Sequence, residues 1–238
     1  MVLHAGILII GSLLWDEERQ AWRDARLDMH SSEAVTAPIR YGRRSGKRRG
    51  YTYTMVFSRL APAGHAKVLR CLRTISSPKD LIVEAEHLWR AEELSSDVGR
   101  IGTSWGCVAL LFNPERKIPA ELPMEWAKYV SRDSGYGNVE QAPDEGRLIS
   151  KEGLLQIDWP CVVDGGSPVG LDLLLVTANT PTLSGTPPYY PSVETVANAW
   201  NAAGKHVEYF WKNCDNGICT FEDAEIRARL HPRERERL

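Results

Sequence analysis

Ile7-Leu8-Ile9-Ile10-Gly11-Ser12-Leu13-Leu14-Trp15 is the stretch that decides the fold. It opens with a continuous apolar run containing β-branched side chains, which is typical of a strand buried on both faces. Gly11-Ser12 interrupts the run, and Asp16-Glu17-Glu18 supplies the acidic first turn of a short helix that should extend to about Arg26. The stretch therefore predicts a buried strand, a tight turn and a helix, in that order.

The composition is that of a globular protein with a sizeable core. Hydrophobic residues make up 43% of the 238 residues and charged residues 25%. Twenty-nine basic and thirty-one acidic side chains leave a formal charge of −2, which argues against nucleic acid or an anionic membrane as the partner. No apolar run reaches the roughly 20 residues of a membrane helix, and the start of the chain lacks the basic region of a signal peptide.

The cysteines are odd in number and scattered, and no C-x-x-C pair occurs among them. This spacing favours neither a disulfide framework nor a zinc cluster. Free, buried thiols are typical of a reducing compartment, so we expect a cytoplasmic protein without a bound metal.

Further strands and helices follow from the periodicity of the chain. Strands are predicted at residues 35–41, 51–57, 66–74, 105–112 and 171–176. Helices are predicted from Ser77 to about Leu94, over 124–131, as one long helix over 193–214, and as a short last helix from Thr220. We expect a single domain over residues 1–230 with an insertion around 95–170, followed by a charged tail at 231–238.

The first candidate for chemistry is the turn at Gly11-Ser12-Leu13-Leu14. A glycine there allows backbone N–H groups to turn toward a ligand, and a helix start just beyond it favours an anion or a developing oxyanion. The alternative is a plain strand-to-helix connection with a buried Trp15.

The second candidate is Glu92 on the predicted helix. It lies four residues after Leu88 and three after Trp89, so it leans toward the apolar face, whereas Glu84 and Glu93 are more peripheral. Desolvation should raise the pKa of such a carboxyl, which suits proton transfer near neutral pH. The alternative is an ordinary glutamate at the rim of the core.

The third candidate is a basic loop with six Arg or Lys residues between Arg40 and Arg49. It could be a nucleic-acid surface, a solvated loop, or the source of one or two arginines that bind a substrate carboxylate. Walker, G-x-G-x-x-G, H-E-x-x-H and G-x-S-x-G motifs are all missing from the sequence, so nucleotide cofactors, zinc proteolysis and α/β-hydrolase chemistry lose their usual support.

In this order, the pieces resemble the γ-glutamylcyclotransferase-like family, which includes the ChaC-type glutathione-degrading enzymes. Residues 9–15 are similar to the family's opening Tyr-Gly-Ser turn, and residues 87–92 to the segment that ends in its catalytic glutamate. Residues 40–50 and the closing part of the chain from 173 onward also match the family's order. The family's tyrosine before Gly-Ser is Ile10 here, which removes a hydroxyl.

The resemblance implies an α+β fold with a small mixed β-barrel flanked by helices, and a cofactor-free reaction on a small γ-glutamyl compound. The α-amine of the γ-glutamyl group attacks its own γ-carbonyl, giving 5-oxoproline and a free amine or amino acid. Glu92 would carry the proton. The substrate would be bound by the backbone of the turn, by an arginine and by a tyrosine, taken from Gly11, Ser12, Leu13, Leu14, Arg40, Arg43, Arg44, Tyr189 and Tyr190.

Two other functions compete with this one. A catalytically inactive protein that binds a small metabolite on the same fold is favoured by Ile10. Nucleic-acid binding through the basic loop is opposed by the near-neutral charge and by the lack of an RNA-binding motif with interleaved aromatic residues.

Overall fold

The computed structural model describes residues 2–94, 99–132, 136, 139 and 141–231. Within them the fold is α+β, with one mixed sheet and helices packed on it. The strands are β1 (Ala5–Ile9), β2 (Leu27–Arg44), β3 (Tyr53–Phe57), β4 (Ala63–Cys71), β5 (Gly102–Thr103), β6 (Gly106–Phe112) and β7 (Leu173–Asn179). The helices are α1 (Gln20–Arg26), α2 (Pro78–Glu93), α3 (Glu121–Val130), α4 (Val193–Ala202), α5 (Glu208–Asp215) and α6 (Asp223–Arg229). No described helix has the length and apolar character needed to cross a membrane.

The first strand lies at the centre of the sheet, whose order is β3-β2-β4-β1-β7-β6-β5. β1 pairs antiparallel with β4 on one side and parallel with β7 on the other. All five residues of β1 are buried, as the unbroken apolar run predicts. The turn that follows β1 therefore leaves from the middle of the sheet.

The sheet is open, and the closed barrel implied by the resemblance is not formed. β3 and β5 are its two ends, and no ladder among the described residues joins them. β2 changes register between Asp28 and Glu33 and again between Tyr41 and Arg43, and such bulges bend a strand. β3 comes into contact with β7 on the curled sheet without pairing with it.

Local signals at the start of α2 have the predicted geometry. The Ser77 hydroxyl accepts a hydrogen bond from the Asp80 N–H at 3.3 Å, and the Asp80 carboxylate accepts one from the Ser77 N–H at 2.9 Å. This capping box begins a helix that buries the predicted apolar face of Leu81, Ala85, Leu88 and Trp89. Glu92 lies in its last turn.

The prediction of one long helix over 193–214 is wrong. Gly204 has a φ of +57°, a conformation that breaks an α-helix and that glycine adopts without a steric cost. α4 therefore ends at Ala202 and α5 begins anew at Glu208. A short 3-10 helix, Gly204–Val207, separates them.

Two other boundaries differ from expectation. β2 extends well beyond the predicted 35–41, so Arg40, Arg43 and Arg44 belong to a strand rather than to a loop. β6 falls within the range predicted as an insertion, yet it pairs with β7 over its whole length and is an integral strand of the sheet. Residues 95–98, 133–135, 137, 138 and 140 of that range and 232–238 of the predicted tail lie outside the described residues.

Candidate functional site

A small cleft lies at the end of β1, where the curled sheet, α2 and α5 meet. Its volume is about 60 Å³. We call it the Glu92 cleft. It is lined by Ile9, Ile10, Gly11, Ser12, Leu13, Arg43, Arg49, Thr54, Met55, Glu92, Thr177, Asn179 and Tyr209. The first two sequence candidates, the turn and Glu92, thus lie at one place.

The Glu92 cleft continues into two larger spaces that share its lining. One, of about 310 Å³, shares Arg43, Arg49 and Glu92 with it, and the other, of about 190 Å³, shares Ser12 and Tyr209. Wider cavities of about 600 and 810 Å³ occur elsewhere on the chain, but Glu92 and the turn line neither of them. A substrate could therefore extend from the cleft into either adjoining space.

Glu92 is partly buried, and its carboxyl faces the cleft. Desolvation raises the pKa of this carboxyl, although the guanidinium groups of Arg19, Arg49 and Arg43 and the Thr177 hydroxyl oppose the rise. The Glu92 backbone carbonyl also accepts a hydrogen bond from Arg19 at 3.5 Å. A carboxyl with a raised pKa is a stronger base than an ordinary glutamate and keeps its acid form to a higher pH, which suits proton transfer.

The turn after β1 divides its N–H groups into two sets. Leu14 N–H donates to the Gly11 carbonyl at 3.2 Å, and Trp15 and Asp16 donate to the Ser12 carbonyl. The N–H groups of Ser12 and Leu13 have no acceptor in the part of the chain that the structure describes. Leu14, predicted to bind substrate, uses its N–H inside the turn and does not line the cleft.

Tyr209 on α5 is a cleft residue that the sequence did not indicate. A Cβ placed on Gly11 would lie 2.7 Å from the Tyr209 hydroxyl. The Tyr209 ring stacks on Trp200 with centroids 5.6 Å apart and meets the edge of Trp15 at 5.5 Å. Burial raises the pKa of the Tyr209 phenol, so the hydroxyl keeps its proton at neutral pH. The sequence signal that could have indicated Tyr209 is Gly204, because a glycine at that position ends the preceding helix and begins a new one before Tyr209.

Thr177 and Asn179 are two further cleft residues outside the predicted set. Both lie on β7, beyond the predicted end of that strand at residue 176. Asn179 is 9% exposed, and its side-chain oxygen has no hydrogen-bond donor among the described residues. A buried acceptor without a partner costs free energy unless a ligand or water satisfies it. The oxygen itself has no exposed surface and lies against Gly106 of β6, so Asn179 lines the cleft through its other atoms.

The arginines of β2 separate into those at the cleft and those away from it. Arg43 lies at the cleft, with its guanidinium 4.3 Å from the centre of the Trp105 ring. Burial lowers the pKa of Arg43, while Glu92 opposes that change. Arg49, from the turn that follows β2, lines the cleft as well. Neither is in the predicted binding set of Arg40 and Arg44, although Arg43 was an alternative.

Arg40 and Tyr190 belong to a different cluster, so the structure does not bring them to the Glu92 cleft. Arg40 forms an ion pair with Glu222 at 3.1 Å, and its guanidinium lies 4.4 Å from the centre of the Tyr190 ring. The Tyr190 hydroxyl donates to the Glu145 carboxylate at 3.0 Å. The β-bulge at Gly42 pairs Arg40 with Val56 and Arg43 with Thr54, two residues apart on β3, so the two arginines share a face of the ladder and are separated along it.

Arg44 and Tyr189 are exposed and also lie away from the cleft. The Arg44 guanidinium is 5.7 Å from the centre of the Tyr51 ring, and Tyr189 is 59% exposed. Neither side chain lines any of the three spaces around Glu92.

The helical position of Glu84 predicts a peripheral side chain, but the structure buries it. Its carboxylate is buried against Arg26, whose Nε donates to it at 3.1 Å and whose Nη2 makes a second, shorter contact. On the same helix, the His87 ring lies 3.0 Å from the Arg90 guanidinium. Among the described residues, no group of three or more His, Cys, Asp or Glu side chains is arranged to hold a metal ion.

These positions leave the Glu92 cleft as the candidate site. It combines a carboxyl of raised pKa, two backbone N–H groups without acceptors and a buried tyrosine hydroxyl. Comparison of the chain with protein-family models, with curated proteins and with solved structures finds no match.

Proposed function

We propose that this protein is a γ-glutamylcyclotransferase-like enzyme, built on an opened version of that family's small barrel. It cyclises the γ-glutamyl group of a small molecule to 5-oxoproline and releases an amine or amino acid. The observation that carries the proposal is the meeting of Glu92 with the Gly11–Leu13 turn in one cleft. The carboxyl and the turn are separated by about 80 residues in sequence and are the two elements on which the resemblance depends.

The size of the Glu92 cleft suits an intramolecular reaction. Attack of an α-amine on its own γ-carbonyl needs the γ-glutamyl group to be held in a folded conformation, and a confined site favours such a conformer. A volume of about 60 Å³ accommodates only the reacting end of a molecule. The remainder of the substrate would occupy an adjoining space.

Proton transfer is the role that we assign to Glu92. Its carboxylate takes a proton from the α-amine as the nitrogen bonds to the γ-carbon. The resulting carboxyl then donates that proton to the departing nitrogen as the original amide C–N bond breaks. A pKa raised toward neutrality by desolvation suits both steps, because the group must act as base and then as acid.

The second requirement of the reaction is to stabilise the negative charge that develops on the oxygen of the γ-carbonyl group. The tetrahedral intermediate carries an oxyanion, and the unpaired N–H groups of Ser12 and Leu13 are suited to donate to it. No step requires a cofactor or water.

Ile10 supports the alternative of a metabolite-binding protein without activity. It lines the cleft where the family has a tyrosine, and an isoleucine offers no hydroxyl. The Tyr209 hydroxyl, which lies against Gly11, supplies such a group to the same cleft from α5. This contact favours the enzyme over the silent binder. None of the five cysteines forms a disulfide bond, which supports the cytoplasm as the location of the protein.

The experiment is a turnover assay on a panel of γ-glutamyl amino acids, peptides and amines, with 5-oxoproline measured chromatographically. We expect release by the wild-type protein and its loss in Glu92→Gln, which keeps the size of the side chain. Glu86→Gln is the matched control, because Glu86 lies on the same helix and accepts a hydrogen bond from Tyr129 rather than lining the cleft. Binding of a panel member without turnover would support the silent binder instead.

A further inference from the structure

The space of about 310 Å³ beside Glu92 has a lining with more arginines than carboxylates. It is lined by Arg43, Ser45, Gly46, Arg48, Arg49, Thr54, Glu92, Glu93 and Trp105. We call it the arginine cavity. Its three arginines face two glutamates, and the pKa of one of these, Glu92, is raised by desolvation. The lining therefore favours an anion.

The arginines of this cavity form no ion pair at contact distance in the described part of the chain, although Arg43 and Arg49 interact electrostatically with Glu92. None of Arg43, Arg48 and Arg49 forms an ion pair there, whereas Arg19, Arg26 and Arg40 each do. Arg43 and Arg49 are partly buried, so their guanidinium groups are less screened by water than those of surface arginines. Unpaired, partly desolvated guanidinium groups are strong binding sites for carboxylates.

Backbone hydrogen bonds hold Arg49 in place. The Ser45 N–H donates to the Thr52 carbonyl at 2.7 Å, and the Arg49 N–H donates to the Gly46 carbonyl at 3.0 Å. The Arg49 carbonyl in turn accepts from the Thr52 hydroxyl at 3.0 Å. Arg43 is held by its stacking on Trp105. The cavity is thus partly preorganised, which lowers the entropic cost of binding.

The position of Glu92 links this cavity to the reaction. Glu92 lines both the cleft that would hold the γ-glutamyl group and the arginine cavity. A nitrogen that receives a proton from Glu92 therefore departs at the border between the two spaces. Its substituent would extend into the arginine cavity.

We propose that the arginine cavity binds a carboxylate on the leaving group, so that the substrates are γ-glutamyl amino acids or peptides rather than γ-glutamyl amines. This inference rests on the proposed function for the identity of the reaction. Arg49 and Arg43 are the specificity-determining residues. They also lower the pKa of Glu92, so the ratio of rates for two substrates, rather than either rate alone, reports their effect on the leaving group.

A matched pair of substrates tests the inference. γ-Glutamyl-alanine and γ-glutamyl-ethylamine differ only in the carboxylate of the leaving group. We expect kcat/KM to be about 10- to 100-fold higher for the alanine compound, the range given by one or two charge-assisted hydrogen bonds. Arg49→Gln and Arg43→Gln should each lower this ratio toward one, whereas Arg44→Gln, outside the cavity, should leave it unchanged. Partial unfolding of a variant would affect both substrates equally and leave the ratio intact.

Equal kcat/KM for the two compounds in the wild-type protein would overturn the inference and leave the cyclisation standing. Loss of the same factor on both compounds in Arg49→Gln and Arg43→Gln would also overturn it. Calorimetric binding of both compounds to Glu92→Gln separates the two proposals. Tighter binding of the alanine compound that depends on Arg49, together with no turnover by the wild type, would support the cavity and refute the enzyme.

Discussion

The hydroxyl of Tyr209 lies so close to Gly11 that no other residue fits at position 11 without a shift: a Cβ there would be 2.7 Å from the hydroxyl oxygen. The φ of Gly11 is −176°, an extended conformation that any residue can adopt. The requirement for glycine is therefore steric and comes from α5, which is distant in sequence. The turn after β1 and the C-terminal helices form one unit around the cleft.

The first prediction concerns this contact. Gly11→Ala should destabilise the protein by about 1–3 kcal/mol, the usual cost of overpacking a site. Tyr209→Phe removes the oxygen, and the next ring atom is 3.8 Å from the added methyl group, so the double variant should be more stable than Gly11→Ala alone. Urea denaturation of the wild type, both single variants and the double variant measures the coupling. If the changes in the free energy of unfolding were additive in the double variant, the methyl group of Gly11→Ala would not clash with the Tyr209 hydroxyl.

The second prediction concerns the stability cost of Glu92. Burial raises the pKa of its carboxyl in the folded state, so the folded protein binds this proton more tightly than the unfolded chain. The cost is absent in acid and appears as pH rises from about 4.3 through the raised folded pKa. Glu92→Gln should therefore have a higher Tm than the wild type at neutral pH, by about 2–4 °C for each kcal/mol relieved.

Thermal unfolding at neutral pH and near pH 4 checks this prediction, since the difference in Tm should shrink in acid. Glu86→Gln serves as the control on the same helix. A Tm difference of the same size at both pH values would mean that ionisation of Glu92 is not its cause.

The third prediction concerns the ion pair of Arg26 and Glu84, whose side chains are 8% and 5% exposed. Desolvation raises the pKa of Glu84 although Arg26 opposes the rise, so burying the charged pair costs folding free energy. Glu84→Gln should destabilise the protein by about 3–5 kcal/mol, because it leaves Arg26 buried without a counter-charge. Arg26→Met combined with Glu84→Met should recover most of that loss in chemical denaturation. A double variant less stable than Glu84→Gln would contradict this view.

The parts of the fold that depend on residues close together in sequence could be predicted from the sequence. The apolar run of β1 predicts a buried strand, and Ser77 with Asp80 predicts the start of α2. These signals are local, since they consist of side-chain periodicity and of hydrogen bonds between residues three positions apart. They also place Glu92 on the inward side of its helix, because helical spacing alone fixes that face.

Residues brought to the cleft by long-range geometry could not be predicted in this way. Regular alternation would put Arg44 on the same face as Arg40, and the bulge at Gly42, which no residue pattern predicts, puts Arg43 there instead. Tyr209 contacts Gly11 from a helix about 200 residues further along the chain, and Asn179 lines the cleft from β7. In each case the deciding contact lies far along the chain.

The central claim is that Glu92 drives an intramolecular cyclisation, and the most direct test follows the products of a γ-glutamyl amino acid in water labelled with a heavy oxygen isotope. Mass spectrometry should find unlabelled 5-oxoproline from the wild type and from Glu86→Gln, because no water enters the reaction, and none from Glu92→Gln. Labelled glutamate would indicate hydrolysis instead. That product, no product at all, or undiminished 5-oxoproline from Glu92→Gln would contradict the account.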